Sequence, residues 1–134
     1  LMDDLSTTIG ALHDSNLVAT VHYYSWYPFS VNIAGGTRYD DNAQKDLDDA
    51  FARMHDTFVA KGIPVYLGEY GLLSWPDPGI VERGEMLKYY EHVNYVARAN
   101  GITTALWDDA NYLNRATMQW RDPRPPAPRP RASA

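Results

Sequence analysis

The sequence of 134 residues contains no cysteine. Disulfide bonds, thiolate catalysis and cysteine-ligated zinc are therefore excluded. No apolar run approaches the roughly 20 residues that a membrane-spanning helix needs, so we expect no membrane partner. No two histidines have the spacing of a zinc-binding motif. Nothing in the sequence points to a metal or an organic cofactor, and we expect none.

Basic residues are scarce in most of the chain. Residues 1–120 hold eight Lys or Arg against sixteen Asp or Glu, a net charge of −8. Because nucleic-acid-binding surfaces need clustered Lys and Arg, we expect no nucleic-acid partner. The end of the chain differs, since residues 123–134 contain five prolines and three arginines. This composition predicts a disordered tail or linker over 123–134, with an SH3-type ligand as the less favoured alternative, and leaves 1–122 as the folded part.

Three short runs have the composition of β-strands, at residues 18–23, 64–69 and 103–107. They are apolar or β-branched with little alternation, which is typical of strands buried on both faces of a parallel sheet. Helical stripes with spacings of three and four lie between the runs. The first stripe consists of Ala43, Leu47, Ala50, Phe51, Met54 and Phe58, and the second of Met86, Leu87, Tyr90, Val93, Val96 and Ala97. Asp40 or Asp41 can cap the first helix, and Asn100 with Gly101 ends the second.

The order of strand, helix, strand, helix, strand predicts right-handed βαβ units and a parallel sheet. A closed (β/α)8 barrel needs about 250 residues, so this chain has room for about three of the eight units. A complete doubly wound domain would need more strands than the sequence shows. We therefore predict an α/β fold that is part of a (β/α)8 TIM barrel.

Polar and aromatic residues follow each apolar run at the point where the predicted strand ends. His22 and Tyr24 follow the first run, Glu69 the second, and Trp107 with Asp108 the third. Ligands of parallel β/α folds bind at the carboxyl ends of the strands, so we expect these side chains to converge. A carboxylate there can act as a nucleophile or relay protons. The alternative is a glutamate that pairs with an arginine or caps a turn.

The other candidates also have two interpretations. His22 and Tyr24 can orient a catalytic carboxylate, or can simply hydrogen-bond each other. Trp107 can stack on a sugar ring or pack in a barrel core, and Asp108 can bind substrate hydroxyls or cap a turn. Trp26 and Tyr27, in the loop after the first strand, form a candidate sugar platform. Phe29, in the same loop, is better explained by local packing.

Three motifs together resemble glycoside hydrolase family 5, the cellulase family. Val21-His22-Tyr23-Tyr24 resembles its His-x-Tyr strand, and Leu67-Gly68-Glu69-Tyr70-Gly71 its nucleophile strand. Leu106-Trp107-Asp108 resembles the last strand of that family. The three motifs occur in the family order across residues 17–122. On this resemblance, 1–122 is the C-terminal part of a catalytic barrel.

The resemblance implies hydrolysis of a β-linked polysaccharide with retention of configuration, by a secreted enzyme without a cofactor, and we expect a monomer. Glu69 would be the nucleophile, with His22 and Tyr24 supporting the catalytic carboxylates. Trp107 would stack on the sugar beside the scissile bond. The loop from Trp26 to Asn32 is similar to that of a subgroup of bacterial endoglucanases, which makes β-1,4-glucan the first substrate to expect. Mannan and other β-glucans stay open.

One feature of the family is missing. A retaining glycosidase uses two carboxylates about 5–5.5 Å apart, and in this family the acid/base glutamate follows an asparagine. The sequence contains no Asn-Glu pair. We therefore expect a fragment that carries the nucleophile without the acid/base and is inactive alone. The rival interpretation is a fragment that binds carbohydrate without catalysis.

Overall fold

A computed structural model describes residues 1–31, 36–72, 81–108 and 112–121. The tail predicted over 123–134 lies outside these residues. In chain order the elements are α1 (Met2–Leu12), β1 (Ala19–Tyr23), α2 (Tyr27–Ser30), α3 (Asp41–Thr57), β2 (Val65–Tyr70), α4 (Arg83–Ala99), β3 (Ile102–Leu106), β4 (Leu113–Asn114) and β5 (Gln119–Trp120). No helix of the described part is long and apolar enough to cross a bilayer.

The main sheet has the order β1-β2-β3, and both pairings are parallel. Helix α3 connects β1 to β2, and α4 connects β2 to β3. The predicted α/β fold with three parallel strands is confirmed, and it fits part of a (β/α)8 barrel. The three predicted strands differ from those observed by one residue at each end or less.

Both long helices bury the stripes that their spacing predicts. In α3, Ala43, Leu47, Phe51 and Met54 are buried, and in α4, Met86, Tyr90, Val93, Val96 and Ala97 are buried. Asp40 is the N-cap of α3, and its carboxylate accepts a hydrogen bond of 3.0 Å from the Ala43 N–H. After α3 the chain makes a short 3-10 turn and reaches Gly62, whose φ of 78° is left-handed.

The prediction that the strands are buried on both faces is wrong for the described chain. Ala19, Val65 and Leu67 are buried against the helices, whereas Thr20 and Tyr66 on the opposite face are exposed. We refer to the side of the sheet that packs against the helices as the helix face and to the opposite side as the open face. The open face therefore exposes the polar Thr20 and the aromatic Tyr66.

Tyr23, on the helix face, anchors the end of β1 to helix α3. Its ring packs edge-on against Phe51, with 5.6 Å between the ring centroids, and its hydroxyl donates a hydrogen bond of 2.8 Å to Asp46 Oδ2. Burial, reinforced by the Asp46 carboxylate, raises the pKa of Tyr23 well above its usual range. The hydroxyl therefore stays protonated and acts as the donor.

His92, on α4, is half-buried against α3 and the loop that precedes α3. Its Nδ1 lies 2.7 Å from the Tyr39 hydroxyl, and its Nε2 lies 3.1 Å from Asp48 Oδ1. The sequence could not show this contact, because it joins residues more than forty positions apart.

Replacing Asp40 by alanine tests the cap of α3. We expect Asp40→Ala to lower the free energy of unfolding by about 1 kcal/mol, because the Ala43 N–H loses its acceptor. Asp40→Asn is the matched control and should cost much less, since asparagine caps as well as aspartate. Urea denaturation measures both variants. Equal losses in the two variants would show that charge rather than capping matters at this position.

Candidate active site

Glu69 lies near the carboxyl end of β2, where the strand contains one residue more than its neighbour. Along β1 and β2, Val21 pairs with Leu67, but the next pair is His22 with Glu69. Gly68 is thus an extra residue between two consecutive pairs. The pairing of β2 with β3 also shifts, between Leu67 and Tyr70. Such an insertion is a β-bulge, which re-aims the side chains that follow it.

The bulge decides which face Glu69 occupies. Successive side chains of a strand alternate between faces, so a regular strand would place Glu69 on the helix face with Val65 and Leu67. After the extra residue the alternation is reversed. Tyr70 becomes the buried residue, and Glu69 pairs with His22 on the open face.

Gly68 itself leaves room for the neighbouring strand. A Cβ built at this position would lie 2.9 Å from Thr20 Oγ1 and 3.5 Å from His22 Nε2. The first distance is shorter than real Cβ contacts, so Thr20 would have to move. Glycine therefore allows Thr20 of β1 to lie close to β2, whereas the distance to His22 is an ordinary van der Waals contact.

Glu69 has two polar partners, and both come from β1 or the residue just after it. The Tyr24 hydroxyl donates a hydrogen bond of 2.7 Å to Glu69 Oε2. His22 Nδ1 lies 3.4 Å from the same oxygen, an ion-pair distance when the imidazole is protonated. The Glu69 side chain keeps 26% of its surface exposed and that of His22 51%. The carboxylate is thus oriented by a neutral donor and still open to a ligand.

The end of β3 reaches the same edge of the sheet. The Trp107 N–H donates a hydrogen bond of 2.9 Å to the Tyr70 carbonyl, and the Trp107 side chain is 47% exposed. Gly71 lies between two candidate residues, because a Cβ there would be 3.6 Å from Tyr24 Cε1 and 3.7 Å from the Trp107 carbonyl oxygen. The structure therefore brings Glu69, His22, Tyr24 and Trp107 together.

The loop after β1 begins with an unusual backbone conformation. Ser25 has a left-handed φ of 63°, which is unusual for a residue other than glycine, and it separates Tyr24 from Trp26. Trp26 and Tyr27 are both exposed, which a stacking surface requires. Phe29 is buried against Tyr39 and Tyr89, so its interpretation as local packing is confirmed. The sequence did not predict the short helix α2 in this loop.

Asp108 is hydrogen-bonded to the backbone at the start of β4. Its Oδ1 accepts hydrogen bonds from the N–H groups of Tyr112, at 3.0 Å, and Leu113, at 3.4 Å. Arg115 also donates to the Asp108 carbonyl oxygen, at 3.1 Å. This geometry favours the capping role over substrate binding, which stays a prediction. The hairpin of β4 and β5 was missed, because two-residue strands leave no periodic signal.

The described residues contain no group of three or more His, Asp or Glu side chains that could hold a metal ion. What the arrangement offers instead is one accessible carboxylate with a hydroxyl donor, an imidazole and an indole beside it. Such a set is suited to acid-base or nucleophilic chemistry.

Comparison with known proteins identifies the family. The model of the cellulase family, glycosyl hydrolase family 5, matches residues 5–112. The chain belongs to this family. Endoglucanase B of Paenibacillus lautus is 46% identical to this cellulase-family chain over 123 residues, which are 91% of the chain but 22% of that protein. The chain thus spans about a fifth of the length of this relative.

Solved structures agree with the assignment to family 5. The tri-modular endo-β-1,4-glucanase B from Bacillus halodurans is 48% identical with a TM-score of 0.86, and the match covers 90% of this chain and 23% of that one. A tri-modular family 5, subfamily 4 endo-β-1,4-glucanase from Bacillus licheniformis, solved with cellotetraose, is 30% identical with a TM-score of 0.72. That match covers 83% of this chain and 21% of the other.

Substitution of Gly68 tests the bulge. We expect Gly68→Ala to lower the free energy of unfolding by about 1–3 kcal/mol, because the added methyl group overlaps Thr20. Thr20→Ala should recover part of this loss in the double variant. Gly84→Ala is the control, since a Cβ at that position in α4 meets nothing within 4 Å. Chemical denaturation measures the wild type, Gly68→Ala, Thr20→Ala, the double variant and the control; a fully additive double variant would contradict the steric explanation.

Proposed function

We propose that this chain carries the nucleophile side of the active site of a retaining endo-β-1,4-glucanase. The observation that carries the proposal is the hydrogen bond from Tyr24 to Glu69 Oε2, on the open face of a chain that belongs to the cellulase family. Glu69 is the nucleophile. His22 and Tyr24 hold its carboxylate in place through a shared oxygen atom.

The proposed chemistry follows from which carboxylate oxygen of Glu69 is already in contact with His22 and Tyr24. Both contacts involve Oε2, so Oε1 is the atom that attacks the anomeric carbon of the substrate. The new bond from Oε1 to this carbon forms as the bond to the leaving-group oxygen breaks, which gives a covalent glycosyl-enzyme. Water then releases the sugar. The donor at Oε2 stabilises the carboxylate that departs in this second step.

The leaving-group oxygen needs a proton from a second carboxylate. Asp108 does not fit this role, because its Oδ1 accepts two backbone hydrogen bonds. The sequence contains no Asn-Glu pair of the kind that supplies the acid/base in this family. We therefore propose that the acid/base lies outside these 134 residues.

The proposed substrate is a β-1,4-glucan, since two similar solved structures are named as endo-β-1,4-glucanases. Trp107 stacks on the sugar bound beside Glu69. The exposed rings of Trp26 and Tyr27 bind sugars further along the polymer. Mannan and other β-glucans are the alternatives. Because a polymer of this kind does not enter a cell, the proposed location of the enzyme is extracellular.

A graft into a complete relative tests the role of Glu69. We expect Paenibacillus lautus endoglucanase B to hydrolyse carboxymethyl-cellulose when its matching segment is replaced by this chain. Glu69→Gln in the graft should lower kcat by roughly a thousandfold or more, because an amide cannot form the glycosyl-enzyme. Release of reducing sugar is the measurement.

Glu82→Gln is the matched control in the graft, since Glu82 is an exposed carboxylate at the start of α4. Its kcat should stay at that of the unsubstituted graft. The 134-residue chain alone should not turn over this substrate. Robust turnover by the chain alone that Glu69→Ala abolishes would refute the proposal that the acid/base lies elsewhere.

The rival function is carbohydrate binding without catalysis, which the exposed rings of Trp26, Tyr27 and Trp107 favour. It predicts that the chain binds cellotetraose with an affinity that Glu69→Gln leaves unchanged and that Trp107→Ala lowers about tenfold or more. Calorimetry measures both affinities. If this binding pattern occurs together with an inactive graft, the catalytic proposal fails and the rival is supported.

A further inference from the structure

Helix α4 carries two adjacent tyrosines that reach the chain segments following β2 and β3. Tyr89 is fully buried, and its hydroxyl donates a hydrogen bond of 3.2 Å to the Gly71 carbonyl oxygen. Tyr90 is also buried, and its hydroxyl is hydrogen-bonded to that of Tyr112. The predicted α4 stripe includes Tyr90 but not Tyr89, and it does not explain why both buried rings carry hydroxyls.

The hydrogen bond from the Tyr89 hydroxyl holds the backbone at Gly71, two residues after Glu69. A Cβ at Gly71 would be in van der Waals contact with both the Tyr24 ring and the Trp107 backbone, so the chain at Gly71 lies close to both. The preceding carbonyl, of Tyr70, accepts from the Trp107 N–H. Tyr89 therefore fixes the segment against which two of the candidate site residues rest.

The hydrogen bond between the Tyr90 and Tyr112 hydroxyls holds the chain segment that follows β3. The Tyr112 N–H donates to Asp108 Oδ1, so Tyr112 is held both by this carboxylate and, through its hydroxyl, by Tyr90. The rings of Tyr90 and Tyr112 also meet edge-on, 5.9 Å apart. Burial raises the pKa of Tyr89 and of Tyr90 well above the usual range, so both hydroxyls stay protonated.

We propose that Tyr89 and Tyr90 are positioning residues, which fix the segments after β2 and β3 relative to each other and thereby set the placement of Tyr24 and Trp107 around Glu69. Neither residue touches the proposed substrate. The catalytic consequence rests on the proposed function, but the positioning itself does not. A plain core role would need the two rings and would be served equally well by phenylalanine.

The positioning is tested in the 134-residue chain labelled with 5-fluorotryptophan. We expect Tyr89→Phe and Tyr90→Phe each to shift the fluorine resonance of Trp107, assigned from Trp107→Phe, by more than its line width. Tyr95→Phe is the matched control, because Tyr95 is on the same helix and 70% exposed, and it should leave the resonance unmoved. If Trp107 does not move in either variant, the proposal is overturned.

Tyr112→Phe removes the Tyr90–Tyr112 hydrogen bond by changing the less buried of the two residues. It therefore still tests the proposal if Tyr90→Phe fails to fold. It should shift the resonance in the same direction as Tyr90→Phe but by less, because the Tyr90 hydroxyl also has a hydrogen bond to the Leu72 backbone. The double variant should shift the resonance by less than the sum of the two single variants, because both substitutions remove the same Tyr90–Tyr112 hydrogen bond. Additive shifts would show that the two hydroxyls act separately and would contradict the Tyr90 half of the proposal.

The catalytic consequence is tested with a 2-deoxy-2-fluoro-β-cellobioside that carries a dinitrophenolate leaving group. Such a compound needs no acid and labels the nucleophile, so mass spectrometry can follow Glu69 in the chain itself. We expect Tyr89→Phe to slow labelling about three- to tenfold, the effect of one hydrogen bond. Unlabelled wild-type chain would count against the proposed function alone, whereas labelling at the wild-type rate with Trp107 unmoved would count against the positioning alone.

Discussion

The extra residue in β2 is the constraint on which the proposed chemistry depends. If Gly68 paired regularly, the two-residue period of the strand would turn Glu69 towards the helices, where a carboxylate has no water and no ligand. Because Gly68 is an extra, unpaired residue, the alternation is reversed for the residues that follow it. Val65 and Leu67 before it and Tyr70 after it all remain buried, so the core loses nothing when Glu69 reaches the open face.

The two faces of the sheet perform separate tasks. On the helix face, apolar stripes from α3 and α4 hold the strands, and Tyr23 adds a hydrogen bond to Asp46 at the end of β1. On the open face, Tyr24 donates to Glu69. The adjacent residues Tyr23 and Tyr24 thus point to opposite faces. Tyr23 anchors the end of β1 on the helix face, and Tyr24 donates to Glu69 on the open face.

The sequence predicted the strands, the two long helices and the approach of His22, Tyr24 and Glu69. These features depend on local periodicity and on the rule that parallel strands end at a common edge. It did not predict the bulge, because the register depends on pairing with two other strands. It also left Asp108 open between capping and substrate binding, since both roles use the same residue at the same spacing. The partners of the Tyr89 and Tyr90 hydroxyls were hidden because a helical stripe reports only that a ring is buried.

The strand order β1-β2-β3 has a consequence for how the chain behaves in solution. Among the described residues, β1 and β3 each pair on one side only, so their outer edges present unpaired backbone N–H and C=O groups. Neither strand contains a lysine or proline, which many proteins place on edge strands to block pairing with other chains. Pairing of another chain at these edges would use backbone hydrogen bonds. Because each chain carries a net charge of −5, added salt would weaken the repulsion between chains rather than reverse such pairing.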